Sequence, residues 1–291
     1  MHGIGPPLAT PFTREGDLDT DRLRRLVEWV ESRGVDFLVP CGSNSEAELM
    51  TSDERARVIE VVADEASVPV LAGTGSPGLR ETLDATDRAH EAGADGALVV
   101  TPFYYAHDDE TLEAYYREVA DASDLPVYLY SVPTYTDVAL DPAVVGRLAE
   151  HSNVAGMKDT TSDLATFQRK HTLTEDAEFD LFIGTAGVLA HALDAGADGG
   201  VLALANVAPS ACAEMLARHR AGEEEAARRL NRRLLDLNRT ITAEYSVPGL
   251  KAAMRFLGAP VGYSRRPHRE VGDDVREEIE SQVSAVADLL D

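Results

Sequence analysis

The chain has 291 residues, 44% of them hydrophobic, and a formal net charge of −24 at pH 7. So large an acidic excess repels nucleic acid and anionic membrane surfaces, and neither is expected as a partner. No apolar run approaches the roughly 20 residues of a membrane-spanning helix, which excludes an integral membrane protein.

Along the first 220 residues, apolar strand-like runs alternate with amphipathic helical stretches. The predicted strands lie at 3–9, 36–42, 68–73, 95–101, 126–131, 154–158, 179–184 and 198–203. The predicted helices lie at 19–33, 52–66, 79–92, 110–122, 141–150, 162–171, 187–195 and 209–220. Three helix-to-strand junctions carry a glycine suited to a left-handed C-cap, namely Gly34, Gly93 and Gly196. Eight βα units predict an α/β fold, the (β/α)8 TIM barrel, with a doubly wound open sheet as the alternative.

Beyond residue 220 the pattern changes to helices alone, predicted at 221–244, 249–257 and 271–290. No linker rich in Pro, Gly or Ser separates them from the barrel. The sequence therefore predicts a catalytic barrel over 1–220 and a C-terminal helical extension over 221–291, packed on the barrel.

Lysine is rare, accounting for three of the 27 Lys and Arg residues, and Lys158 ends the sixth predicted strand. Catalytic groups of a barrel gather at the C-terminal ends of its strands. A desolvated lysine can attack a carbonyl to form a Schiff base, which arginine cannot do. Strand alternation places Lys158 on the face of Val154 and Gly156, where the glycine would leave room for the amine. Lys170 and Lys251, on helices, are predicted to be ordinary surface lysines.

Two other polar features fall at predicted strand ends. Tyr130 ends the fifth strand, beside the sixth, where its phenol could relay protons during Schiff-base chemistry. The segment 41–46, Cys-Gly-Ser-Asn-Ser-Glu, could point hydroxyls and backbone N–H groups at a carboxylate. Without Lys158, the tyrosine reads equally well as a core aromatic and the segment as a turn.

Four motifs, in this order along the chain, give a more specific indication: 6–12 Pro-Pro-Leu-Ala-Thr-Pro-Phe, 42–46 Gly-Ser-Asn-Ser-Glu, 130–133 Tyr-Ser-Val-Pro and 156–159 Gly-Met-Lys-Asp. Together they resemble the dihydrodipicolinate synthase / N-acetylneuraminate lyase family of pyruvate-dependent class I aldolases. The resemblance covers nearly the whole chain. It implies a TIM-barrel lyase that forms a covalent lysine imine with a 2-oxo acid and needs no cofactor or metal.

The resemblance also implies roles for individual residues. Lys158 takes the place of the Schiff-base lysine and Tyr130 that of the proton-relay phenol. Ser43 matches the hydroxyl of the relay and, with Asn44, would hold the substrate carboxylate. Tyr104 matches a tyrosine that completes the relay from a neighbouring subunit.

Further implications concern the pocket and the assembly. Gly184 and Val201 fall where the floor of the pocket is usually contacted. The family is typically a homotetramer, a dimer of dimers. The N-terminus lacks the pattern of a secretory signal, and the two cysteines have no paired spacing, so a cytoplasmic protein is expected.

The sequence indicates less clearly which aldehyde forms the other half of the substrate, the acceptor. Tyr135 stands where dihydrodipicolinate synthases usually carry an arginine for the carboxylate of the aldehyde. The flanking Thr-x-Thr resembles 2-keto-3-deoxygluconate aldolases, whereas other residues resemble 4-hydroxy-2-oxoglutarate aldolases. High acid content with little lysine is typical of salt-accumulating halophiles, for which a modified Entner–Doudoroff route would need such an enzyme. The first candidate reaction is therefore cleavage of 2-keto-3-deoxygluconate or its 6-phosphate, to pyruvate and glyceraldehyde or its 3-phosphate. Dihydrodipicolinate synthase, condensing pyruvate with aspartate semialdehyde, and 4-hydroxy-2-oxoglutarate aldolase are the alternatives.

Other classes of protein are disfavoured by spacing. The eight histidines show no H-x-H or H-x-x-x-H pattern, which argues against a metal-dependent aldolase. The 73–75 Gly-Thr-Gly segment lacks the third glycine of a dinucleotide-binding fingerprint. A non-catalytic barrel that senses a 2-oxo acid remains the alternative from another class.

Overall fold

Parallel strands and the helices between them set the architecture of residues 1–290, which the computed structural model describes. Within this range one seven-stranded sheet has the strand order β1-β7-β6-β5-β4-β3-β2. The strands are β1 Gly3–Gly5, β2 Leu71–Gly73, β3 Gly96–Val100, β4 Val127–Ser131, β5 Val154–Asp159, β6 Asp180–Ile183 and β7 Gly199–Val201. The helices that flank them are α1 Thr20–Glu31, α2 Ser52–Glu65, α3 Leu79–Glu91, α4 Asp109–Ala122, α5 Pro133–Thr136, α6 Pro142–Ala149, α7 Leu164–Thr174, α8 Leu189–Asp194 and α9 Pro209–Arg220.

The ring closes between β1 and β2 through residues 36–40, where the sequence predicts the second strand. These residues make only isolated parallel bridges, Pro7 with Val39 and Leu38 with Val70. The backbones that lie beside this segment on its two sides contain prolines, which have no N–H to donate. A continuous ladder of backbone hydrogen bonds therefore cannot form there. Backbone hydrogen bonds such as Leu71 N to Leu38 O, at 2.8 Å, still close the ring. The prediction of a strand over 36–42 is therefore wrong in detail, whereas the predicted TIM-barrel fold is confirmed.

The glycines at the predicted helix ends do have left-handed backbones. Gly34, Gly93 and Gly196 have φ angles of 83°, 89° and 98°. A residue with a Cβ is strained in this region, so glycine is what allows each helix to turn directly into the next strand.

Apolar side chains fill two separate layers. The larger one lies between the sheet and the helices. The smaller one fills the interior of the barrel with Phe37, Val39, Leu71, Leu98, Tyr128, Tyr130, Val132, Phe182 and Val201. The barrel is thus a packed core, and its site has to lie at one end.

The C-terminal helices are α10 Glu224–Arg239, α11 Ser246–Phe256 and α12 Asp273–Ala285. The predicted helix 221–244 is interrupted, because Thr240–Glu244 forms a π-helical turn after α10. Helix α10 packs against α8 and α9 of the barrel. The predicted extension ends at residue 291, which lies outside the described residues. None of the described helices is long and apolar enough to cross a membrane.

Candidate active site

Lys158 lies near the C-terminal end of β5 and is only 3% exposed. It pairs with Tyr130 of β4 on one side and with Phe182 of β6 on the other. Both neighbours belong to the interior layer of the barrel. The lysine therefore points from its strand into the mouth of the barrel, as the sequence predicts.

The local reason for this direction differs from simple alternation. The register between β4 and β5 shifts next to Val127, so that Val127 pairs with Val154 but Tyr128 pairs with Gly156. This irregularity turns Val154 into the outer layer, while Ala155 packs against the inner one. The prediction that Val154 shares a face with Lys158 is wrong, since a bulge interrupts the two-residue period.

Gly156 also has a different purpose from the predicted one. A Cβ at this position would lie 2.6 Å from the ring of Tyr128 and 2.5 Å from the carbonyl oxygen of Asp180. The space above the glycine is filled by the Tyr128 ring rather than by the Lys158 amine. Glycine is needed because aromatic packing in the barrel interior leaves no room for a side chain.

Three of the predicted catalytic side chains lie together. The Lys158 Nζ is 4.1 Å from the centre of the Tyr130 ring. The Tyr130 hydroxyl lies 3.3 Å from Ser43 Oγ, within hydrogen-bonding distance. Ser43 begins a short 3₁₀ turn, Ser43–Ser45, that follows the strand-like segment closing the barrel. The geometry joins an amine, a phenol and an aliphatic hydroxyl at the barrel mouth.

These groups border a cavity of about 280 Å³, which we call the lysine cavity. Lys158, Tyr130, Asn44, Gly184 and Val201 all line it. Ser43 does not line it, but its Oγ is within hydrogen-bonding distance of the Tyr130 hydroxyl, which belongs to a lining residue. The roles given to these residues stay predictions at this point.

Several polar residues of the lysine cavity were missed by the sequence analysis. Thr160 and Thr185 follow β5 and β6, and Asn238 and Thr242 come from α10 and its π-helical turn. The Oγ1 atom of Thr160 is buried and has no hydrogen-bond partner among the described residues. The two threonines could have been suspected from their place after strands, but no spacing in the sequence signals a π turn.

Gly184 is explained by the same threonine. A Cβ on Gly184 would lie 2.1 Å from Thr160 Oγ1. Glycine is therefore required at this position by the Thr160 side chain beside it, and both residues line the lysine cavity.

Tyr104 is not part of this arrangement within one chain. Its side chain is 87% exposed, and it stands edge-on against Tyr105 with 5.0 Å between ring centres. Its φ angle of 79° is left-handed, which is strained for a non-glycine residue. The predicted role of Tyr104 concerned a neighbouring subunit and is not tested by a single chain.

A second cavity, of about 270 Å³, adjoins the lysine cavity. Tyr130, Val132, Tyr135 and Ser246 line both. Ser43 lines the second cavity, which is mostly apolar. Tyr130 is thus bordered by both cavities.

The prediction that Lys170 and Lys251 are surface lysines is wrong. Both are fully buried, and each is paired with a buried carboxylate. Lys170 Nζ lies 2.7 Å from Asp159 Oδ2, which fastens α7 to the end of β5. Lys251 Nζ donates to Glu46 and, at 2.7 Å, to the carbonyl of Thr10. Burial lowers the pKa of Lys251 to about 8, against the opposing effect of Glu46. The polar flanks of these residues gave no sign of burial, because the partners are distant in sequence.

No group of three or more His, Cys, Asp or Glu side chains within residues 1–290 is arranged to hold a metal ion.

Comparison with known proteins gives a consistent result. The model of the dihydrodipicolinate synthetase family matches residues 1–286. The chain is 37% identical over 289 residues to a 4-hydroxy-tetrahydrodipicolinate synthase of Methanothrix thermoacetophila, with 99% of this chain and 98% of that protein covered. It is 35% identical over 286 residues to an uncharacterised DapA-like lyase of Halobacterium salinarum, with 98% and 93% covered.

Among solved structures, the chain is similar to YagE, a prophage protein of the dihydrodipicolinic acid synthase family from E. coli K12, in complex with pyruvate. The TM-score is 0.92 at 31% identity, and 98% of each chain is covered. The match extends over the barrel and the C-terminal helices alike. The chain therefore belongs to the dihydrodipicolinate synthetase family and is a metal-independent, pyruvate-dependent lyase of the class I aldolase type.

Proposed function

We propose that Lys158 is the residue that forms the Schiff base with the 2-oxo acid. The observation that carries this assignment is a buried amine at a strand end, beside the Tyr130 phenol and bordering a cavity. Lys158 has no carboxylate partner among the described residues, unlike Lys170 and Lys251. An amine that no carboxylate holds in place is free to attack a carbonyl.

The reaction follows from this placement. Neutral Lys158 attacks the C2 carbonyl to give a carbinolamine, which loses water to form an iminium. The iminium accepts the electron pair when the C3–C4 bond breaks and the C4 hydroxyl gives up its proton to a neighbouring base, so that an aldehyde leaves and an enamine of pyruvate remains. Protonation of the enamine at C3 and hydrolysis of the imine release pyruvate. In the synthetic direction the same enamine adds to an aldehyde.

The neighbouring side chains supply the proton transfers. The Tyr130 hydroxyl lies within reach of Ser43 Oγ, so the two can pass a proton to and from the carbinolamine oxygen. Ser43 and Asn44 open the 3₁₀ turn and would hold the substrate carboxylate. Thr160, with its unpaired hydroxyl above Gly184, is available to the acceptor half of the substrate.

The names of the relatives support one acceptor over another. Several relatives at 33% to 37% identity are named 4-hydroxy-tetrahydrodipicolinate synthase. None of the comparisons supports 2-keto-3-deoxygluconate, which the sequence analysis ranks first. Condensation of pyruvate with aspartate semialdehyde is therefore the first activity to test, in place of the sugar-acid cleavage.

A second candidate acceptor, neutral and hydroxylated, is favoured by one specific observation. Among the described residues that line the lysine cavity, Lys158 is the one charged side chain, and Tyr135 stands in the place of the carboxylate-binding arginine. Threonine, serine, asparagine and tyrosine side chains supply the remaining polar groups. Such a lining suits the hydroxyls of an unphosphorylated sugar acid better than a carboxylate or a phosphate. Arg14, Arg80 and Arg239 do not line this cavity.

The deciding experiment measures kcat/KM for pyruvate with aspartate semialdehyde and for cleavage of 2-keto-3-deoxygluconate, its 6-phosphate and 4-hydroxy-2-oxoglutarate. Preference for the semialdehyde would establish the synthase, and preference for a sugar acid would establish the second candidate. Replacing Tyr135 with Arg should shift the ratio towards the carboxylated aldehyde, by about tenfold. Borohydride trapping of a pyruvate adduct without turnover of any of the four would indicate the non-catalytic sensing barrel.

We further propose that Tyr104 completes the relay of a partner subunit in a homotetramer built from dimers. Tyr104 and Tyr105 are exposed aromatic side chains, and the second cavity offers an apolar space beside Ser43 and Tyr130. Mixing two inactive variants, Tyr104→Phe and Lys158→Arg, tests this arrangement. If the tyrosine acts across subunits, mixed dimers contain one intact site and regain activity. If it acts in its own chain, mixing restores nothing.

Three broader expectations accompany this function. The acidic, lysine-poor composition fits a cytoplasmic enzyme of a salt-accumulating organism. We propose that residues 1–220 form the catalytic barrel and that the following helices form its extension, although Asn238 and Thr242 of that extension line the lysine cavity. Deletion of the extension is therefore expected to abolish activity as well as lower stability.

A further inference from the structure

The C-terminal segment carries a concave surface that is unusually basic for so acidic a chain. It is a cavity of about 990 Å³, which we call the arginine basin, and it shares no lining residue with the lysine cavity. Glu270 is the one acidic side chain among its described lining residues. Its walls carry Arg14, Arg255, Arg266, Arg269 and Arg276.

The positive charge of the basin is only partly neutralised. Arg255 pairs with Glu270, and Arg276 lies 2.9 Å from a carboxylate oxygen of Asp273.

The other three arginines, Arg14, Arg266 and Arg269, form no ion pair with residues 1–290. The Arg14 guanidinium rests over the ring of Tyr263, 4.8 Å from its centre, and donates to its hydroxyl at 3.0 Å. The chain has 24 more negative than positive charges, so carboxylates are plentiful. These three arginines nevertheless have no ion-pair partner within residues 1–290. They repel one another, and a bound anion would offset that repulsion.

The backbone that carries these arginines is held in place from beneath. The carbonyl of Tyr263 accepts a hydrogen bond from buried Lys251 at 2.8 Å. The N–H of Arg265 donates to Glu46 Oε1 at 2.7 Å, and its guanidinium donates to Gly16 O at 2.6 Å. A site whose backbone is already fixed loses little entropy when a ligand binds.

A second observation points to a ligand. Ser264 lines the basin, and its Oγ is buried without a hydrogen-bond partner among the described residues. A buried hydroxyl left unpaired costs free energy, and an anionic oxygen would accept its proton.

We propose that the arginine basin binds a small polyanion carrying two or more negative charges on oxygen atoms, a phosphorylated or polycarboxylic metabolite. Arg266 and Arg269 supply free guanidinium forks, whose planar donors match phosphate and carboxylate oxygens in pairs. Ser264 adds a neutral donor. The basin shares no lining residue with the lysine cavity, and His268 lines both the basin and the second cavity.

The test is calorimetric titration of the full chain with pyrophosphate and with citrate, at one fixed ionic strength and in the lowest salt that keeps the protein folded. The basin variant is Arg266→Gln/Arg269→Gln. The matched control is Arg25→Gln/Arg169→Gln, which removes the same charge from exposed arginines of α1 and α7 that lack ion pairs within the described residues. The basin variant should weaken binding by about tenfold or more, and the control should match the wild type. Tighter binding of pyrophosphate would identify a phosphorylated ligand, and tighter binding of citrate a polycarboxylate.

Ser264→Ala gives a second measurement that separates ligand binding from folding. Removing an unpaired hydroxyl should leave the melting temperature unchanged or raise it while weakening the anion. If the basin and control variants lose affinity for the anion equally, the effect comes from net charge alone and the proposal is overturned. If neither pyrophosphate nor citrate binds to the wild type, the proposal is also overturned. If the oligomeric state in sedimentation then changes for the basin variant alone, the surface contacts a second copy of the chain instead.

Discussion

Lys158 and Lys251 are both buried lysines at the same end of one barrel, yet their surroundings are opposite. Lys251 is surrounded by acceptors, namely Glu46 and the carbonyls of Thr10 and Tyr263. Lys158 lies beside the Tyr130 ring, at 4.1 Å, and faces a cavity. One amine is fully used by the fold, and the other is left available.

The difference shows how a structural lysine can be told from a reactive one. A buried cation is costly unless a carboxylate pairs with it, and both Lys251 and Lys170 are paired. Lys158 has no such partner among the described residues and borders a cavity instead. Rarity of lysine drew attention to Lys158 in the sequence, but the same rarity applies to all three. Only the partners distinguish them.

The largest effect is expected at the unpaired lysine. Lys158→Arg should lower turnover by about 10⁴-fold or more, because a guanidinium cannot form the imine. The protein should still unfold cooperatively, since no ion pair is lost. Steady-state kinetics, borohydride trapping with pyruvate and circular dichroism check the three parts. Turnover retained in this variant would refute the assignment of the nucleophile.

The paired lysines should show the opposite behaviour. Lys170→Met or Lys251→Met should lower the free energy of unfolding by about 3–5 kcal/mol, because each leaves a buried carboxylate without its partner. Denaturant unfolding measures this, with Arg25→Met as an exposed control expected to change little. The double variant Lys170→Met/Asp159→Asn should recover part of the loss. A loss of less than about 1 kcal/mol in the free energy of unfolding of either single variant would mean that its lysine contributes no more than a surface lysine.

The phenol beside Lys158 should have a smaller but specific effect. Tyr130→Phe removes the hydroxyl that contacts Ser43 while keeping the ring in the barrel interior. We expect kcat to fall by about a hundredfold to a thousandfold, the usual contribution of a positioned acid or base. Imine trapping at high pyruvate should persist, because the amine is unchanged. An unaltered kcat would assign the relay to another group.

The smallest effect concerns the outer part of the Lys251 network, where Glu54 holds Arg265. Hydrogen bonds from that guanidinium lower the pKa of Glu54 to about 2 from 4.5. A lowered carboxylate pKa stabilises the fold fully above pH 4.5, and the contribution is lost as the pH falls towards 2. Glu54→Gln should therefore cost about 1 kcal/mol near pH 7, because the pair is partly exposed, and less at pH 3. Denaturant unfolding at pH 7 and at pH 3 measures the difference in stability between the wild type and Glu54→Gln. If that difference is no smaller at pH 3, the lowered pKa of Glu54 is not its cause.

Individual residues show which parts of the site could be predicted. Lys158, Tyr130, Asn44, Gly184 and Val201 line one cavity, as strand ends and motifs indicate. Thr160 could have been included on the same ground, since it follows Lys158 closely at the barrel mouth. Asn238 and Thr242 could not, because they come from the distant helix α10 and from the π-helical turn after it.

The sequence by itself determined the order and kind of the elements, since the periods of apolar residues and the glycines at helix ends depend only on neighbours along the chain. It also indicated the proposed chemistry, because Lys158 and Tyr130 fall at strand ends. Tertiary structure alone decided which lysines are paired, where the bulge beside Gly156 reverses the pattern of β5, and how the arginines gather into a basin. Those features depend on contacts between residues as far apart as Glu46 and Lys251, and such contacts exist only when the chain is folded.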